Sequence, residues 1–388
     1  MKSFRTILIS VTVLAMLLTA CAPQSTPAAP AEPPPAQPAA TQPQAAQPEK
    51  PAEPAQPSEP AEKPFNERGY RIAYYLNGTS TDIFKMAFDA AVAEGKKLGM
   101  TVDIFTANND DVKFQDMINQ GINQGYDGMY ISHGKNDYSY ELVKRAVDAG
   151  IKVVTFDTVV ADEAGQGIPG VTTMFQDDQG MARMSLEYIT QELFPDTRPV
   201  RLLKLWRGPG VPPFDRRQEV YKEFEDAGLI ETLELLGPSN LKDSEGSMNQ
   251  VVASVLPKYP AGTVDAIWSA YDAYARGAYK ALYEANRTDI PLVTIDISNQ
   301  DINYMLEPTG VWKACVAVHF ENVGIQGIRL LAKKLHGDET PPTFNLRPSM
   351  VKASDVKEGA NVTNLTEIVP GYGVFDDNWE PWMQELQK

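Results

Sequence analysis

Two doubly wound α/β domains in series are the fold this sequence predicts, and three observations predict it. From Tyr70 onward, short runs of β-forming residues alternate with amphipathic helical stretches, the pattern of a parallel sheet covered by helices on both faces. Two such sets of similar size follow one another along the chain. The third observation is where the polar residues fall. Leu76 leads into Asn77-Gly78-Thr79-Ser80-Thr81, Ile131 into Ser132-His133-Gly134, Phe156 into Asp157-Thr158, Trp206 into Arg207-Gly208, Trp268 into Ser269-Ala270-Tyr271-Asp272, and Ile295 into Asp296. Open parallel sheets bind ligands at the carboxyl ends of their strands, so two domains face to face bring both sets to one cleft.

The elements follow from periodicity and stop signals. Residues 71–76 read as a strand. Over 83–98, Phe84, Phe88 and Val92 share one helical face and Gly99 ends the helix. Strands are expected at 101–105, 128–132 and 153–157, with helices at 112–124 and 139–149, the second closed by Gly150. The second set opens with a helix at 178–193. Strands follow at 201–206, 231–236, 266–269, 292–296 and 311–318. Helices at 216–227, 245–256, 273–285 and 322–335 alternate with them, and Gly228 and Gly337 act as stops.

The start of the chain is of another kind. Lys2 and Arg5 precede an apolar run at 7–18, too short to span a bilayer, and Leu18-Thr19-Ala20-Cys21 follows. This is a secretory signal, and its end resembles the lipobox of bacterial lipoproteins. That resemblance implies cleavage after residue 20, acylation of Cys21, and a protein exported and held to a membrane, facing the periplasm or cell exterior. Residues 21–66 then carry dense Pro, Ala, Gln and Glu, which cannot bury enough apolar surface to order themselves, and read as a disordered tether.

Composition narrows the function. The 388 residues hold 35 Lys and Arg against 51 Asp and Glu, a formal charge of −16. That opposes a nucleic-acid partner and electrostatic docking on anionic lipid, and fits a soluble, monomeric body. Of two cysteines, an acylated Cys21 leaves Cys315 unpaired, and its apolar surroundings mark it as a buried thiol. No Cys/His cluster has metal-ligand spacing, and no metal or cofactor is expected.

From residue 70 to 351 the order of motifs resembles the type I periplasmic binding proteins, in particular the ribose- and galactose-binding branch that feeds ABC importers. Ile72-Ala73 opens the first strand, and Phe84 starts the helix after a polar turn. Val153-Val154-Thr155-Phe156-Asp157 is similar to a strand ending in a ligand-binding aspartate. Gln176-Asp177-Asp178 with Ser185-Leu186-Glu187-Tyr188-Ile189 is similar to the crossing between domains. Asp272 with Gly277-Ala278, Val293-Thr294-Ile295-Asp296, and Asn322-Val323-Gly324 complete the likeness. It implies a three-strand hinge with crossings near 175–178, 295–298 and 318–320. The lobes are then 67–176 plus 319–350, and 177–318 plus 351–388. It also implies a sugar-like ligand and an ABC permease as partners.

A site for sugars needs planar polar groups and aromatic rings. Asp157 and Asp296 each end an apolar strand; a helix cap or an interface ion pair is the alternative for both. Asp178 fits a hinge-proximal contact, and capping a helix explains it equally. Arg216 or Arg217 corresponds to the family's arginine, with Arg216 preferred and Asp215 a competitor for the slot. Phe84, Trp206 and Tyr271 are candidate stacking rings, with core packing the alternative for Phe84 and Trp206. Asn77, Thr81 and Ser132 supply hydroxyl-binding groups, although turn chemistry also selects Asn and Thr. Tyr271 and Ser132 stand where the family has asparagine, Thr158 where it has arginine, and Val318 where it has glutamine, so the ribose constellation is absent. Trp379 and Trp382, in a tail past the ribose-type body, are expected to pack on the second domain.

No catalytic constellation emerges. His133, His319 and His336 lack a nucleophile partner, and Gly208-Pro209-Gly210 lacks an N–H that a phosphate turn would use. The expectation is a non-enzyme that captures a solute for an ABC importer. A ligand-sensing subunit of a membrane receptor is the alternative, ahead of an extracellular carbohydrate-active enzyme.

Overall fold

A computed structural model describes residues 63–373 and 375–386; the signal, Cys21 and nearly all of the tether lie outside them. The first lobe runs β1 (Arg71–Leu76), α1 (Asp82–Lys97), β2 (Thr101–Thr106), α2 (Asp111–Asn123), β3 (Gly128–Ser132), α3 (Asn136–Asp148), β4 (Lys152–Phe156) and β5 (Thr172–Gln176). The second runs α4 (Asp178–Glu187), β6 (Val200–Leu205), α5 (Pro212–Asp226), β7 (Ile230–Leu236), α6 (Ser244–Val255), β8 (Ala266–Ser269), α7 (Asp272–Glu284), β9 (Leu292–Ile295), α8 (Asn299–Leu306) and β10 (Trp312–Ala317). The chain ends with α9 (Phe320–His336), β11 (Thr343–Leu346), β12 (Ser349–Lys352), α10 (Leu365–Ile368) and α11 (Pro381–Glu385).

Each lobe holds one six-stranded sheet, ordered β11-β5-β4-β3-β1-β2 and β12-β10-β9-β8-β6-β7. All strands are parallel except β12, which pairs antiparallel with β10. The order reverses between β1 and β3 and again between β6 and β8, so both lobes are doubly wound. Residues 72–76 of β1 are all buried, as a strand covered on both faces requires. On one face lies α9, packed against α1, β3 and β4. It fits because Gly324 and Gly327 have no side chain. A Cβ on Gly324 would lie 2.0 Å from the Ala87 carbonyl, and one on Gly327 2.4 Å from the Tyr130 ring.

Three segments cross between the lobes. The first follows β5 at Gln176–Asp178, and the second follows β10 at Val318–His319. The third is Arg347-Pro348, between β11 and β12. The crossing expected near 295–298 is not there. Instead β9, α8 and β10 form an ordinary crossover unit within the second lobe. Its short helix carries a capping box, Ser298 with Asp301, that the sequence reading passed over.

Two further boundaries differ. Phe65, assigned to the tether, is buried against Tyr70 and Trp382. The tail divides between lobes: Leu365, Val369 and Tyr372 join the second-lobe core, whereas Trp379 lies under Arg329 and Trp382 stacks on His336, both of α9. The two tryptophans therefore pack on the first lobe. Phe65 and His336 already form an aromatic surface there for Trp382 to cover.

Candidate functional site

The carboxyl ends of the two sheets meet at the hinge side of the lobes and enclose a cavity of about 230 Å³. The first lobe contributes Thr81, Phe84 and Phe320, and the second Tyr271, Asp272 and Asp296. Gln176, Val318 and His319 line it from the crossings. A larger groove of about 480 Å³ runs along the outer edge of the first lobe beside β5 and β11. Of the buried polar atoms without a protein partner, none belongs to that groove. Gln176 Oε1 and both ring nitrogens of His319 belong to residues lining the cavity. A buried polar group left unpaired costs free energy, and three such atoms gather at this cavity, whereas those of Tyr74, Tyr75, Asn77 and Trp206 lie away from it.

Three strand ends take the left-handed backbone conformation that non-glycine residues rarely adopt: His133 (φ 62°), Asp157 (φ 43°) and Asp296 (φ 69°). Each turns the chain just after β3, β4 or β9 while its own N–H extends the ladder, Asp157 to the Met174 carbonyl and Asp296 to the Val316 carbonyl. Neither aspartate caps a helix. No helix follows Asp157 directly, and Ser298 caps α8.

The second-lobe wall is ionic. Asp178 is 1% exposed and accepts from Arg216 Nε (3.0 Å), Arg216 Nη2 (2.5 Å) and Arg217 Nε (2.9 Å). Asp177 caps α4 through the Gly180 N–H, which frees Asp178 for this role. Arg217, also 1% exposed, bridges onward, donating to the Ala270 carbonyl (2.5 Å) and to Asp296 Oδ2 (3.2 Å). The bridging arginine is thus Arg217, one residue beyond the preferred Arg216; Asp215 accepts instead from the Gly210 N–H. Burial pushes the Asp296 carboxyl up to about 6, against the pull of Arg217. Asp272 is held by Arg276 (2.7 Å), and burial lifts the Tyr271 phenol to about 12.

The first-lobe wall is aromatic and uncharged. Phe84 meets His133 and Phe320 edge to face, at 5.1 and 5.7 Å. His133 Nδ1 lies 2.7 Å from Ser132 Oγ, and its Nε2 is 4.0 Å from Asp157 Oδ2. Burial pushes the imidazole down to about 4 and the Asp157 carboxyl up to about 7, the latter helped by the nearby Asp178 charge. Both are therefore neutral between those values. His319, at the second crossing, is likewise held near 4 by burial.

The sequence profile of the periplasmic binding protein domain matches residues 72–339. A sugar ABC transporter structure from Yersinia enterocolitica is 40% identical, covers 85% of this chain and 99% of its own, and superposes with a TM-score of 0.67. The chain belongs to the periplasmic binding protein family. Two more distant structures share the fold. The 5-methylthioribose transporter solute-binding protein of Thermotoga lettingae is 23% identical, covers 82% of this chain and 98% of its own, and has a TM-score of 0.66. The periplasmic ribose ABC transporter of Conexibacter woesei is 19% identical, covers 74% and 93%, and has a TM-score of 0.65.

Measured against this type I periplasmic binding protein fold, the expected residues divide. Thr81, Phe84, Tyr271 and Asp296 line the cavity. Asp178, Arg216, Ser132 and Asp157 do not line it: Asp178 and Arg216 stand behind Asp296 through Arg217, and Ser132 and Asp157 stand behind Phe84 through His133. Asn77 and Trp206 stand apart. The Asn77 amide donates to Asp111 (2.8 Å) and Tyr138 (3.0 Å) in the first lobe. The Trp206 ring packs beside Lys204, with its indole N–H buried and unpartnered. Sequence reasoning set aside His133 and His319 as isolated, and it missed Gln176, Phe320 and Tyr372. Position just after a predicted strand was the signal available for both histidines. Among the described residues, no group of His, Cys, Asp and Glu has metal-binding geometry, and no helix is long and apolar enough to cross a membrane.

Proposed function

We propose that this protein is an extracytoplasmic solute-binding lipoprotein that captures a neutral sugar or sugar-like solute by hinge closure and delivers it to an ABC importer. The observation that carries this is the cavity shared by the two lobes. Carboxyls, tyrosine and unpartnered imidazole and amide groups face it from the hinge and second lobe, and aromatic rings from the first. Carboxylates accept from paired hydroxyls, and rings cover the C–H faces of a sugar. The two arginines that meet the cavity's carboxyls are both paired within the protein, Arg217 with Asp178 and Asp296 and Arg276 with Asp272, Glu245 and Asp301. This favours an uncharged solute. Closure of two lobes about three crossings is the hinge motion by which such a clamp reports its loaded state. Structural relatives support a carbohydrate class, among them transport proteins named for 5-methylthioribose and ribose and one with bound allitol.

The test is a thermal-shift screen of the full chain against ribose, 5-methylthioribose, allitol and a range of other pentoses, hexoses, polyols and nucleosides. A specific ligand stabilises the folded state by mass action, by about 2.7 kcal/mol at a hundred times its dissociation constant. Absence of any saturable shift across the panel overturns the reading. Anchoring rests on Leu18-Thr19-Ala20-Cys21. In a bacterial host, Cys21→Ser should move the protein from the membrane fraction to the soluble one.

A further inference from the structure

The family profile ends at residue 339, and β12 ends at Lys352. Beyond Lys352, residues 353–373 and 375–386 are held on both lobes. Val362 is fixed to the second lobe by its N–H on Asn299 Oδ1 (2.9 Å), and Leu365, Val369 and Tyr372 are buried in that lobe's core. The chain then passes to α9 of the first lobe. Asn322 holds it from both sides, donating to the Gly373 carbonyl (3.0 Å) and accepting from the Phe375 N–H (3.1 Å). Arg329 donates to the carbonyls of Phe375 and Asp377, Lys333 pairs with Glu380, and Trp382 closes on His336 at 4.3 Å, nearly coplanar. Arg347, inside the third crossing, pairs with Asp377 and lies over the Phe375 ring.

Two residues of this segment line the cavity, Val362 and Tyr372. The Tyr372 ring meets the His319 ring edge-on at 5.2 Å, and His319 carries the two unpartnered buried nitrogens. We propose that residues 353–373 and 375–386 form a strap that completes the ligand cleft, with Tyr372 and Val362 touching the bound solute and the anchor on α9 limiting how far the lobes part. This rests on the solute-capture reading for its ligand but not for its hinge role. Outside the three crossings, a segment that grips both lobes has contacts that rearrange when the lobes separate, so its anchors oppose opening. Because Tyr372 stands just before the passage to α9, lobe rotation moves it relative to the first-lobe rings.

The experiment has a ligand-free arm. Lys113 and Lys242 are exposed, follow the carboxyl ends of β2 and β7, and so sit at the sheet edges farthest from the crossings. In the full chain carrying Cys21→Ser, Lys113→Cys and Lys242→Cys take spin labels while Cys315 stays buried. Trp382→Ala should broaden the label-to-label distance distribution and shift its mean outward, and Trp382→Phe should retain the native one. Should Trp382→Ala lose its far-UV circular dichroism, Glu380→Ala replaces it, with a smaller shift in the same direction. A distribution unchanged in the folded variant overturns the strap.

The second arm titrates the same sugars into Tyr372→Ala and Val362→Ala. Affinity for each sugar that the native chain binds should fall by about tenfold. Native affinity in both variants overturns their role as contacts while leaving solute capture standing. A native chain that binds no panel sugar overturns solute capture and the contact role with it. The label distances then decide the hinge role alone.

Discussion

The two walls of the cleft solve the same problem with opposite chemistry. On the second lobe, Asp178, Arg217 and Asp296 form a buried chain of ion pairs in which each charge has an opposite partner. On the first lobe, Phe84, His133 and Asp157 carry no formal charge near pH 6 and touch through ring edges and a 4.0 Å approach. The ionic wall is fixed before anything binds; the neutral wall keeps unused hydrogen-bonding capacity. The contrast teaches a division of labour, in which one lobe holds a preformed polar surface and the other supplies groups free to adapt.

Removing the charge from the ionic wall should have the largest effect on stability. Breaking a buried ion pair costs about 3–5 kcal/mol because the surviving charge is left uncompensated. Arg217→Met strands Asp296 and leaves Asp178 with Arg216, so a loss of about 3 kcal/mol in urea denaturation is expected. The matching change on the other wall, Phe84→Leu, should cost under about 1.5 kcal/mol, since the ring is half-buried and the volume nearly kept. Equal costs for the two would erase the distinction between the walls.

Binding should show the reverse weighting. Asp157→Ala removes a carboxyl that pairs with no arginine, so the apo fold should survive while the sugar-induced thermal shift disappears. Retention of native affinity would show that the first-lobe wall does not touch solute.

The neutral wall also has a pH signature. The folded Asp157 carboxyl keeps its proton up to about 7, whereas the unfolded one loses it near 4. Rising pH between those values therefore weakens the native state. The His133 imidazole does the opposite. Unfolded, it holds a proton up to about 6.5 that the folded ring releases near 4, so rising pH over that range strengthens the native state. The two effects offset each other at one contact, and single variants separate them. Relative to Asp157→Asn, the native chain should lose stability as pH rises from about 4 to about 7. Relative to His133→Gln, it should gain stability from about 4 to about 6.5. Urea denaturation at several pH values measures both, and a charged imidazolium–carboxylate pair would give both slopes the other sign.

The walls were unequally legible in the sequence, for a physical reason. Asp157 and Asp296 end apolar strands, so periodicity placed both at strand ends, and the family resemblance singled them out there. The pairing of Asp178 with Arg217 is a contact 39 residues apart, and local pattern set only the neighbourhood, leaving the register between Arg216 and Arg217 open. Long, periodic elements such as α1, α9 and β1 were read to within a few residues. The four-residue strands β11 and β12 and the eight-residue α8 lack enough periods to register, and with them went one of the three crossings. His319 was discounted because an isolated histidine is usually structural. Only the three-dimensional placement reveals that neither of its nitrogens has a partner.

Trp206 provides the finest test of the contrast, because it follows a second-lobe strand yet belongs to neither wall. Its ring lies beside the buried Lys204 ammonium, 5.0 Å from the ring centre, and that ammonium also caps the Tyr221 ring at 3.8 Å. The indole N–H is buried without an acceptor, a standing cost that phenylalanine does not carry. Trp206→Phe gives up ring area and part of a cation–π contact but also removes that orphaned donor. The two changes are of similar size, so a net effect under about 1 kcal/mol is expected in urea denaturation. Sugar affinity should stay within about twofold of native, since the residue does not line the cavity. A tenfold loss of affinity with unchanged stability would instead place Trp206 on the solute and extend the second-lobe wall toward β6.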